Sequence, residues 1–136
     1  MKIKLDAGAF VPERAHVTDA GADLRSPVGT VINARGSCVI DTGVHIQLPH
    51  GYVGMLKSKS GLNVKHGITS EGVIDEGYTG PIKVKLYNNG DEPYKIERVD
   101  KITQLVIVPC EYVYFDFVDK LDDSERGGDG FGSTGK

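Results

Sequence analysis

The amino-acid sequence predicts an all-β fold, a jelly-roll β-barrel with a flexible, glycine-rich C-terminal tail. Three observations lead to this prediction. Apolar and polar side chains alternate at a period of two in several stretches, which is typical of half-buried strands. Turn signals rich in Pro, Gly, Asn and Asp follow one another too closely to leave room for long helices. Many short strands joined in this way favour a sandwich or a barrel.

The predicted elements follow from these patterns in chain order. Alternation marks strands at Ile3 and Leu5, at Val44, Ile46 and Leu48, at Ile82, Val84 and Leu86 with Lys83 and Lys85 between them, and at Val113, Phe115 and Phe117. Turn signals stand at Ser26-Pro27, residues 48–51, residues 88–91 and Glu92-Pro93. One short helix fits at residues 61–66. Periodicity is lost from Lys120, so we expect a body at residues 1–120 and a tail at residues 121–136.

Composition limits the possible functions. The 136 residues suffice for one domain. A formal net charge of −3 provides no basic surface, so no nucleic-acid partner is expected. Cys38 and Cys110 lie far apart without a C-x-x-C motif, which fits a reducing cytoplasm. The sequence shows neither a leader pattern nor an apolar run of about 18 residues, so no membrane partner is expected.

The stretch GVIDEGYTGPIKVKLYN, residues 72–88, reads as a hairpin with chemistry at its turn. Asp75 follows an apolar pair, where a carboxylate could act as a base for water. Tyr78 offers a flat face on which a sugar could stack. A turn aspartate beside a packed tyrosine would explain the same residues.

Three further stretches have polar groups suited to phosphates or a metal. KSKSGL, residues 57–62, places lysines and hydroxyls around Gly61, as phosphate oxygens require, although a solvated loop would look the same. In DAGADL, residues 19–24, Asp23 could reach a hydrated Mg²⁺ or simply form a turn. Gln104 begins an apolar strand, where a buried amide needs partners.

The glycine-rich end, RGGDGFGSTGK at residues 126–136, has the G-x-x-x-x-G-K spacing of a P-loop. A P-loop also needs a hydroxyl after the lysine and a following helix, and neither follows Lys136. Two alternatives remain for this segment: a disordered end, or a flap that orders over an anion and a flat ring. A zinc site is not expected, because the histidines and cysteines lack ligand spacing.

Taken in order, five stretches resemble the five motifs of the trimeric deoxyuridine triphosphate nucleotidohydrolases, the dUTPases: DAGADL, SKSGL, GVIDEGYTG, DKITQLV and RGGDGFGSTG. The resemblance spans residues 19–135. It implies a jelly-roll homotrimer of the dUTPase type whose active sites are each built from all three chains. It also implies a dUTP diphosphatase, in which Mg²⁺-assisted attack of water on the α-phosphate gives dUMP and pyrophosphate. Such an enzyme keeps uracil out of DNA and supplies dUMP.

The resemblance also implies a role for individual residues. Asp75 would be the general base, Tyr78 would stack under the deoxyribose and exclude a 2′-hydroxyl, and Asp23 would meet Mg²⁺ through water. The other substrate-binding residues would be Lys59, Ser60, Gly61 and Gln104 on the phosphates, Thr69, Gly72, Val73, Ile74 and Lys83 around the uracil, and Arg126, Phe131, Gly132, Ser133 and Thr134 in a flap that closes over the nucleotide.

Three places depart from the family pattern. Lys59 stands where an arginine is usual and lacks the bidentate guanidinium fork. Val99 and Lys101 stand where the fourth motif usually has Gly and Arg. Thr69 and Ser70 stand where some relatives have an asparagine.

Two other functions stay open beside dUTP hydrolysis. A deoxycytidine triphosphate deaminase shares the fold, but its chemistry uses a glutamate where this chain has Lys85, which cannot replace a carboxylate base. A non-catalytic or moonlighting dUTPase-like protein that binds a regulator is the alternative from another class. Asp23, Asp75 and the whole tail motif are all present, which favours catalysis.

Overall fold

Antiparallel strands make up nearly all of the regular structure in residues 1–128, the part of the chain that the computed structural model describes. In chain order, the elements of these residues are β1 (Lys2–Leu5), β2 (Gly21–Arg25), β3 (Thr30–Ile32), β4 (Ser37–Asp41), β5 (Val44–Gln47), β6 (Tyr52–Lys57), α1 (Ser60–His66), β7 (Ile68–Ile74), β8 (Lys83–Asn88), β9 (Tyr94–Ile96) and β10 (Lys101–Pro109). The all-β prediction is therefore confirmed.

The strands form one large sheet and two small ones. The large sheet has the strand order β2-β10-β6-β7-β8-β4, and the pairs β1-β5 and β3-β9 complete the curled structure. Every strand pair is antiparallel. This arrangement places β10 between β2 and β6, so that three sequence motifs meet at one end of the sheet.

The core follows the alternation that the sequence shows. On β8, the side chains of Val84 and Leu86 are completely buried, while Lys83 and Lys85 point outward. Ile82, just before β8, is also completely buried. Burying apolar side chains of this size stabilises the folded state by about 1.5–3 kcal/mol each, so β8 is fixed in its register.

The predicted strands at Ile3 and at Val44 and the predicted helix are confirmed with small differences. Strand β5 buries Val44 and Ile46 as expected. Strand β1 forms where predicted, but Ile3 stays 46% exposed because β1 pairs only with β5 at the margin of the barrel. Helix α1 begins one residue earlier than predicted and ends at His66, as predicted. Gly67 caps this end, and its φ of 67° lies in the left-handed region that glycine favours.

The predicted strand at Val113, Phe115 and Phe117 is wrong. These residues belong to no strand, and their exposed fractions are 66%, 84% and 102%. Strand β10 ends at Pro109, and the part of the chain described after it contains neither helix nor strand. Alternation makes a segment fit for pairing, but a strand also needs a partner, and no described strand pairs with this segment. The boundary at residue 120 stays a prediction. No helix within residues 1–128 is long and apolar enough to cross a membrane.

Candidate active site

Two partly exposed lysines surround the buried Asp23 on β2. Its side chain is only 11% exposed, and each carboxylate oxygen faces a lysine: Oδ1 lies 2.5 Å from Lys59 Nζ and Oδ2 lies 2.8 Å from Lys101 Nζ. Burial opposes ionisation of Asp23, but the hydrogen bonds from Lys101 and Lys59 outweigh it and lower the pKa of the carboxyl. The two lysines that stand in place of the family's arginines therefore bind the same carboxylate.

Gln104 lies next to this cluster because β10 pairs with β2 and places Gln104 opposite Asp23. Its Nε2 donates to the backbone oxygen of Ser58 at 3.1 Å, so the amide has the partner that its burial requires. Gly21 packs against it, and a Cβ at Gly21 would lie 2.6 Å from Gln104 Oε1. The glycine at position 21 of DAGADL thus leaves room for the Gln104 side chain.

These groups line an open cleft of about 580 Å³. Its carboxylate, ammonium and amide groups belong to Asp19, Asp23, Lys57, Lys59, Lys101 and Gln104. Lys57 is paired with Glu71 at 2.8 Å, but Lys59 and Lys101 share the single carboxylate of Asp23, so positive charge remains beside Asp23 that is suited to phosphate oxygens.

Ser60 and Gly61 lie at the start of α1, directly after Lys59. Both are exposed, and a Cβ at Gly61 would meet no atom within 4 Å, so a ligand has access to the backbone there. Lys59 itself is drawn toward Asp23 by their ion pair. The structure therefore brings the first, second and fourth motifs together at one cleft.

The third motif forms a hairpin whose strands separate before its turn. The β7–β8 ladder has three pairs, from Ile68 opposite Asn88 to Ser70 opposite Leu86. Beyond them, β7 continues in its ladder with β6, and β8 continues in its ladder with β4. We call the opening between residues 72–74 and 83–85 the β7–β8 fork. On the side that faces the fork, these backbone groups take part in no strand ladder of the described chain.

The side chains around the fork have different surroundings. Gly72 lies against Leu56, and a Cβ there would lie 3.0 Å from Leu56 Cδ1. Ile74 points into the core and is 7% exposed, so only its backbone can meet a ligand. Val73 is 60% exposed. At the closed end, Thr69 Oγ1 accepts a hydrogen bond from Asn89 Nδ2 at 3.1 Å.

The loop at residues 75–82 contains the two residues with the clearest predicted chemistry. Asp75 is exposed, and its backbone oxygen accepts a hydrogen bond from the Tyr78 amide at 3.0 Å. The Tyr78 hydroxyl donates to the Pro81 backbone oxygen at 2.9 Å, which holds the ring across the loop. A Cβ at Gly80 would lie 2.5 Å from that hydroxyl, so only glycine leaves the ring its place.

Glu76, next to Asp75, fixes the start of this loop. Its carboxylate accepts hydrogen bonds from the Gly51 amide at 3.0 Å and from the Tyr112 hydroxyl at 2.5 Å, and it faces His50 Nδ1 at 3.1 Å. The bond from Tyr112 is the main cause that lowers the pKa of Glu76 to about 2, and the same contact raises the pKa of Tyr112 to about 12. Sequence analysis missed this network, because its members are distant in the chain.

We call the cleft beside Lys57, Lys59 and Lys101 the lysine cleft. Within one chain, Asp75 does not reach it. Along β6, Lys57 lies opposite Gln104 on one side, and Gly54 lies opposite Ile74 on the other. At a rise of about 3.3 Å per residue, these positions are about 10 Å apart. Asp75 lies further on and lines a different cavity of about 340 Å³. A single chain thus presents two halves of the predicted site in separate places.

The remaining predicted site residues lie near or beyond the limit of the description. Arg126 is exposed. Phe131, Gly132, Ser133 and Thr134 lie outside the described residues. Sequence analysis missed the role of Lys101, which it treats only as a departure from the family pattern. Its position three residues before Gln104, at the start of the same strand, was the available signal, because β10 pairs with the strand that contains Asp23.

Metal-binding groups are sparse. Within residues 1–128, no group of three or more His, Cys, Asp or Glu side chains is placed to hold a metal ion. Mg²⁺ in nucleotide sites is commonly bound by one or two carboxylates together with the substrate phosphates and water. Asp23, with a lysine at each oxygen, is suited to an ion that arrives with a phosphate ligand rather than to a resident one.

Comparison with known proteins agrees with this geometry. The dUTPase family model matches residues 8–135. The deoxyuridine 5'-triphosphate nucleotidohydrolase of Clostridium acetobutylicum is 46% identical over 135 residues, covering 97% of this chain and 93% of that protein. The protein of the same name from Corynebacterium glutamicum is 43% identical, with 98% and 93% covered.

Solved structures give the same result for the fold. The dUTPase of Staphylococcus bacteriophage 80alpha with dUPNHPP matches with a TM-score of 0.92 and 34% identity, covering 99% of this chain and 98% of that one. A mutant of the dUTPase from phage phi11 of S. aureus, described with a structural Mg(II) ion, matches with a TM-score of 0.81 and 32% identity, covering 88% and 96%. The chain, with its jelly-roll type fold and its ordered motifs, belongs to the dUTPase family.

Proposed function

We propose that this protein is a dUTP diphosphatase, which hydrolyses dUTP to dUMP and pyrophosphate. The observation behind the proposal is the β7–β8 fork, which opens beside Asp75 and Tyr78. Relatives that are named deoxyuridine 5'-triphosphate nucleotidohydrolase, and a phage dUTPase structure with dUPNHPP, support this substrate.

The fork is a suitable place for the uracil ring. Backbone amides and carbonyls at residues 72–74 and 83–85 supply donors and acceptors in a plane, as the edge of a pyrimidine requires. The ladder closes the fork at Ser70 and Leu86, which limits its depth and would exclude the methyl group of thymine. Gly72, Val73, Ile74 and Lys83 would bind through the backbone, with Thr69 at the closed end.

The loop beyond the fork is suited to the sugar and the attacking water. Tyr78 has an exposed ring face that would lie under the deoxyribose, and a 2′-hydroxyl would clash with it. Asp75 would orient a water molecule and take its proton as the oxygen attacks the α-phosphate. The bond from the α-phosphorus to the bridging oxygen would then break, and pyrophosphate would leave.

The lysine cleft would bind the triphosphate. Ser60, Gly61 and Gln104 would donate to phosphate oxygens, and Lys59 would add positive charge from its place beside Asp23. Asp23 would hold Mg²⁺ through water, and the ion would neutralise phosphate charge when it is bound. Arg126 with Ser133 and Thr134 would bind the phosphates from the tail, while Phe131 covers the uracil and Gly132 allows close approach.

We further propose a homotrimer with sites shared between chains. Support comes from the separation of Asp75 and the lysine cleft in one chain, which leaves each half without the other. Support also comes from the exposed apolar side chains after β10, including Tyr114 at 97% and Phe117 at 102% exposed, because patches of this kind commonly lie at interfaces. A cytoplasmic location fits the free thiols of Cys38 and Cys110.

A substrate panel tests this proposal. Purified protein with Mg²⁺ is given dUTP, dCTP, dTTP or UTP, and release of pyrophosphate and of ammonia is measured. Pyrophosphate from dUTP alone is expected. Ammonia from dCTP would instead favour the deaminase. Against that outcome, the position of the carboxylate base that deamination needs is occupied by Lys85, whose Nζ lies 5.1 Å from the centre of the Tyr87 ring. Binding of dUTP without hydrolysis would favour the regulatory alternative.

A further inference from the structure

His45 has no role in the site described so far, although its ring contacts the loop at residues 75–82, which we call the substrate loop. It lies on β5 between Val44 and Ile46, which are both buried in the core, so its side chain points to the opposite face. The side chain is 16% exposed. Across the strand pair, its register partner is Lys4 on β1.

Both ring nitrogens of His45 face hydrogen-bond acceptors. Nδ1 lies 2.8 Å from the backbone oxygen of Thr79, and Nε2 lies 3.0 Å from Asp6 Oδ2. A carbonyl oxygen and an ionised carboxylate cannot donate a hydrogen bond. Only the imidazolium, with a proton on each nitrogen, satisfies both contacts, and the neutral ring must give up one of them.

The contact at Thr79 matters because of where Thr79 lies. It directly follows Tyr78, whose own hydroxyl bonds to Pro81 inside the same loop. The β5 backbone already holds the end of the loop, since the Ile82 amide donates to the Val44 oxygen at 2.8 Å. His45 adds a side-chain contact from the same strand to Thr79, which is three residues nearer than Ile82 to Tyr78.

The charges around the ring favour the cation. The hydrogen bond to Asp6 is the main cause that raises the pKa of His45, and the Thr79 carbonyl adds to it. Partial burial and the ammonium of Lys4 oppose the shift. Asp6 in turn has a lowered pKa, chiefly through His45 and then Lys4, whose Nζ lies 3.3 Å from Asp6 Oδ1. Lys2 lines a surface cleft together with Lys4, His45 and Thr79.

We propose that His45 is a positioning residue for the substrate loop: its imidazolium joins the Asp6 carboxylate to the Thr79 carbonyl and holds Tyr78 where it excludes a 2′-hydroxyl. The inference rests on the proposed role of Tyr78, and hence on the proposed function. It makes the choice between deoxyribose and ribose dependent on pH.

The direction of this dependence follows from the raised pKa. We call the His45 imidazolium with its bonds to Asp6 and Thr79 the clamp. Its contribution to holding the loop is complete below the ordinary histidine pKa of about 6.5 and is lost as pH rises through the higher pKa of the folded protein. Discrimination between dUTP and UTP should therefore be high at low pH and should fall as pH rises. The loss should be about threefold to tenfold, the size expected when one hydrogen bond of ordinary net strength is given up at a partly exposed site.

The test measures kcat/KM for dUTP and for UTP from about pH 6 to about pH 9, across the range in which histidine titrates. The ratio cancels effects on Asp75, on metal binding and on the uracil ring, which both substrates share. In parallel, NMR follows the His45 ring and the Thr79 amide of the protein without nucleotide. We expect the ring to titrate above its ordinary pKa and the Thr79 amide to shift with it.

Three variants separate positioning from general stability. His45→Gln is neutral and should show a low, pH-independent ratio. His45→Lys keeps a cationic donor over this pH range and should show a high, pH-independent ratio. Lys2→Gln is the matched control, because Lys2 lies on the same strand pair but is no partner of His45 or Asp6, and the ratio of this variant should fall with pH as that of the parent does. Melting temperatures of all four proteins are recorded at each pH.

Several outcomes would overturn the inference. A ratio in the parent that stays flat while His45 titrates would show that the ring positions nothing. A neutral His45 ring at low pH would remove the clamp itself. If His45→Gln fails to fold, the parent profile and His45→Lys still decide. If the parent does not hydrolyse dUTP, the proposed function fails, but coupling between the His45 ring and the Thr79 amide is still decided by NMR.

Discussion

Replacing Asp23 with asparagine is expected to destabilise the folded protein, because two lysines lose the anion between them. The new side chain would still accept a hydrogen bond through its oxygen, but its amide nitrogen would face the second ammonium group, donor against donor. The parent contacts are short, at 2.5 Å to Lys59 and 2.8 Å to Lys101. The substitution keeps the size of the side chain, so the effect isolates charge rather than packing.

The size of the effect follows from burial. A shielded hydrogen bond to a charged group contributes about 1.5–3 kcal/mol. Asp23 is 11% exposed, but the lysine side chains are 25% and 35% exposed, so solvent weakens both contacts. With one contact partly kept, we expect the free energy of unfolding to fall by about 1–2 kcal/mol at neutral pH.

The assay is urea unfolding of parent and variant at one fixed protein concentration, at pH 7 and near pH 3. The pKa of Asp23 is lowered by folding, so its ionised form stabilises the protein above the unfolded pKa, and this contribution is lost as pH falls through the folded pKa. The difference between parent and variant should therefore shrink in acid.

Asp91→Asn is the matched control, because the pair of Asp91 with Arg35 has side chains 82% and 67% exposed and should contribute below about 0.5 kcal/mol. A difference at Asp23 that is negligible, or that stays equal at both pH values, would refute the reasoning.

Three further predictions concern catalysis. Asp75→Asn should lower turnover by about 10²–10⁴-fold while dUTP still binds, because an amide cannot take a proton from water; an asparagine variant with parental turnover would remove Asp75 from its role. Tyr78→Ala should lower the ratio of kcat/KM for dUTP over UTP, since space opens beside the 2′ position; an unchanged ratio would leave the ring with a packing role only. Deleting residues 126–136 should leave the melting temperature nearly unchanged but abolish hydrolysis. Unfolding and reassembling that truncation together with Asp75→Asn should restore partial activity, and no recovery would contradict the shared site.

The parts of the fold that could be predicted are those set by local patterns. On β8, the completely buried side chains of Val84 and Leu86 alternate with Lys83 and Lys85 on the surface, as period two requires. Helix α1 could be predicted to within one residue at its start, because a short segment between turn signals could not be a longer element. These features depend on neighbours in the chain, and the sequence contains them directly.

The segment at Val113, Phe115 and Phe117 shows where local patterns fail. Its alternation equals that of β8, yet its side chains are exposed and it belongs to no strand. Pairing depends on a second strand, and alternation contains no information about where that strand lies. Within the part of the chain that the structure describes, no strand takes that place.

In the candidate site, too, features set by local sequence could be predicted and contacts between distant residues could not. The order of the motifs identified the family, and the hairpin placed Asp75 at a turn. The cluster of Asp23 with Lys59 and Lys101 could not be predicted, because it depends on the β2–β10 register and on where the chain goes after β6. The contact of His45 with Asp6 and Thr79 likewise joins three places that are distant in the sequence.

The most direct test of the account is hydrolysis of dUTP by the parent protein in water labelled with heavy oxygen. Mass spectrometry of the two products shows which phosphorus the water attacked. If Asp75 directs water at the α-phosphate, the label appears in dUMP and none appears in pyrophosphate. Label in pyrophosphate, or no cleavage of dUTP, would contradict the account.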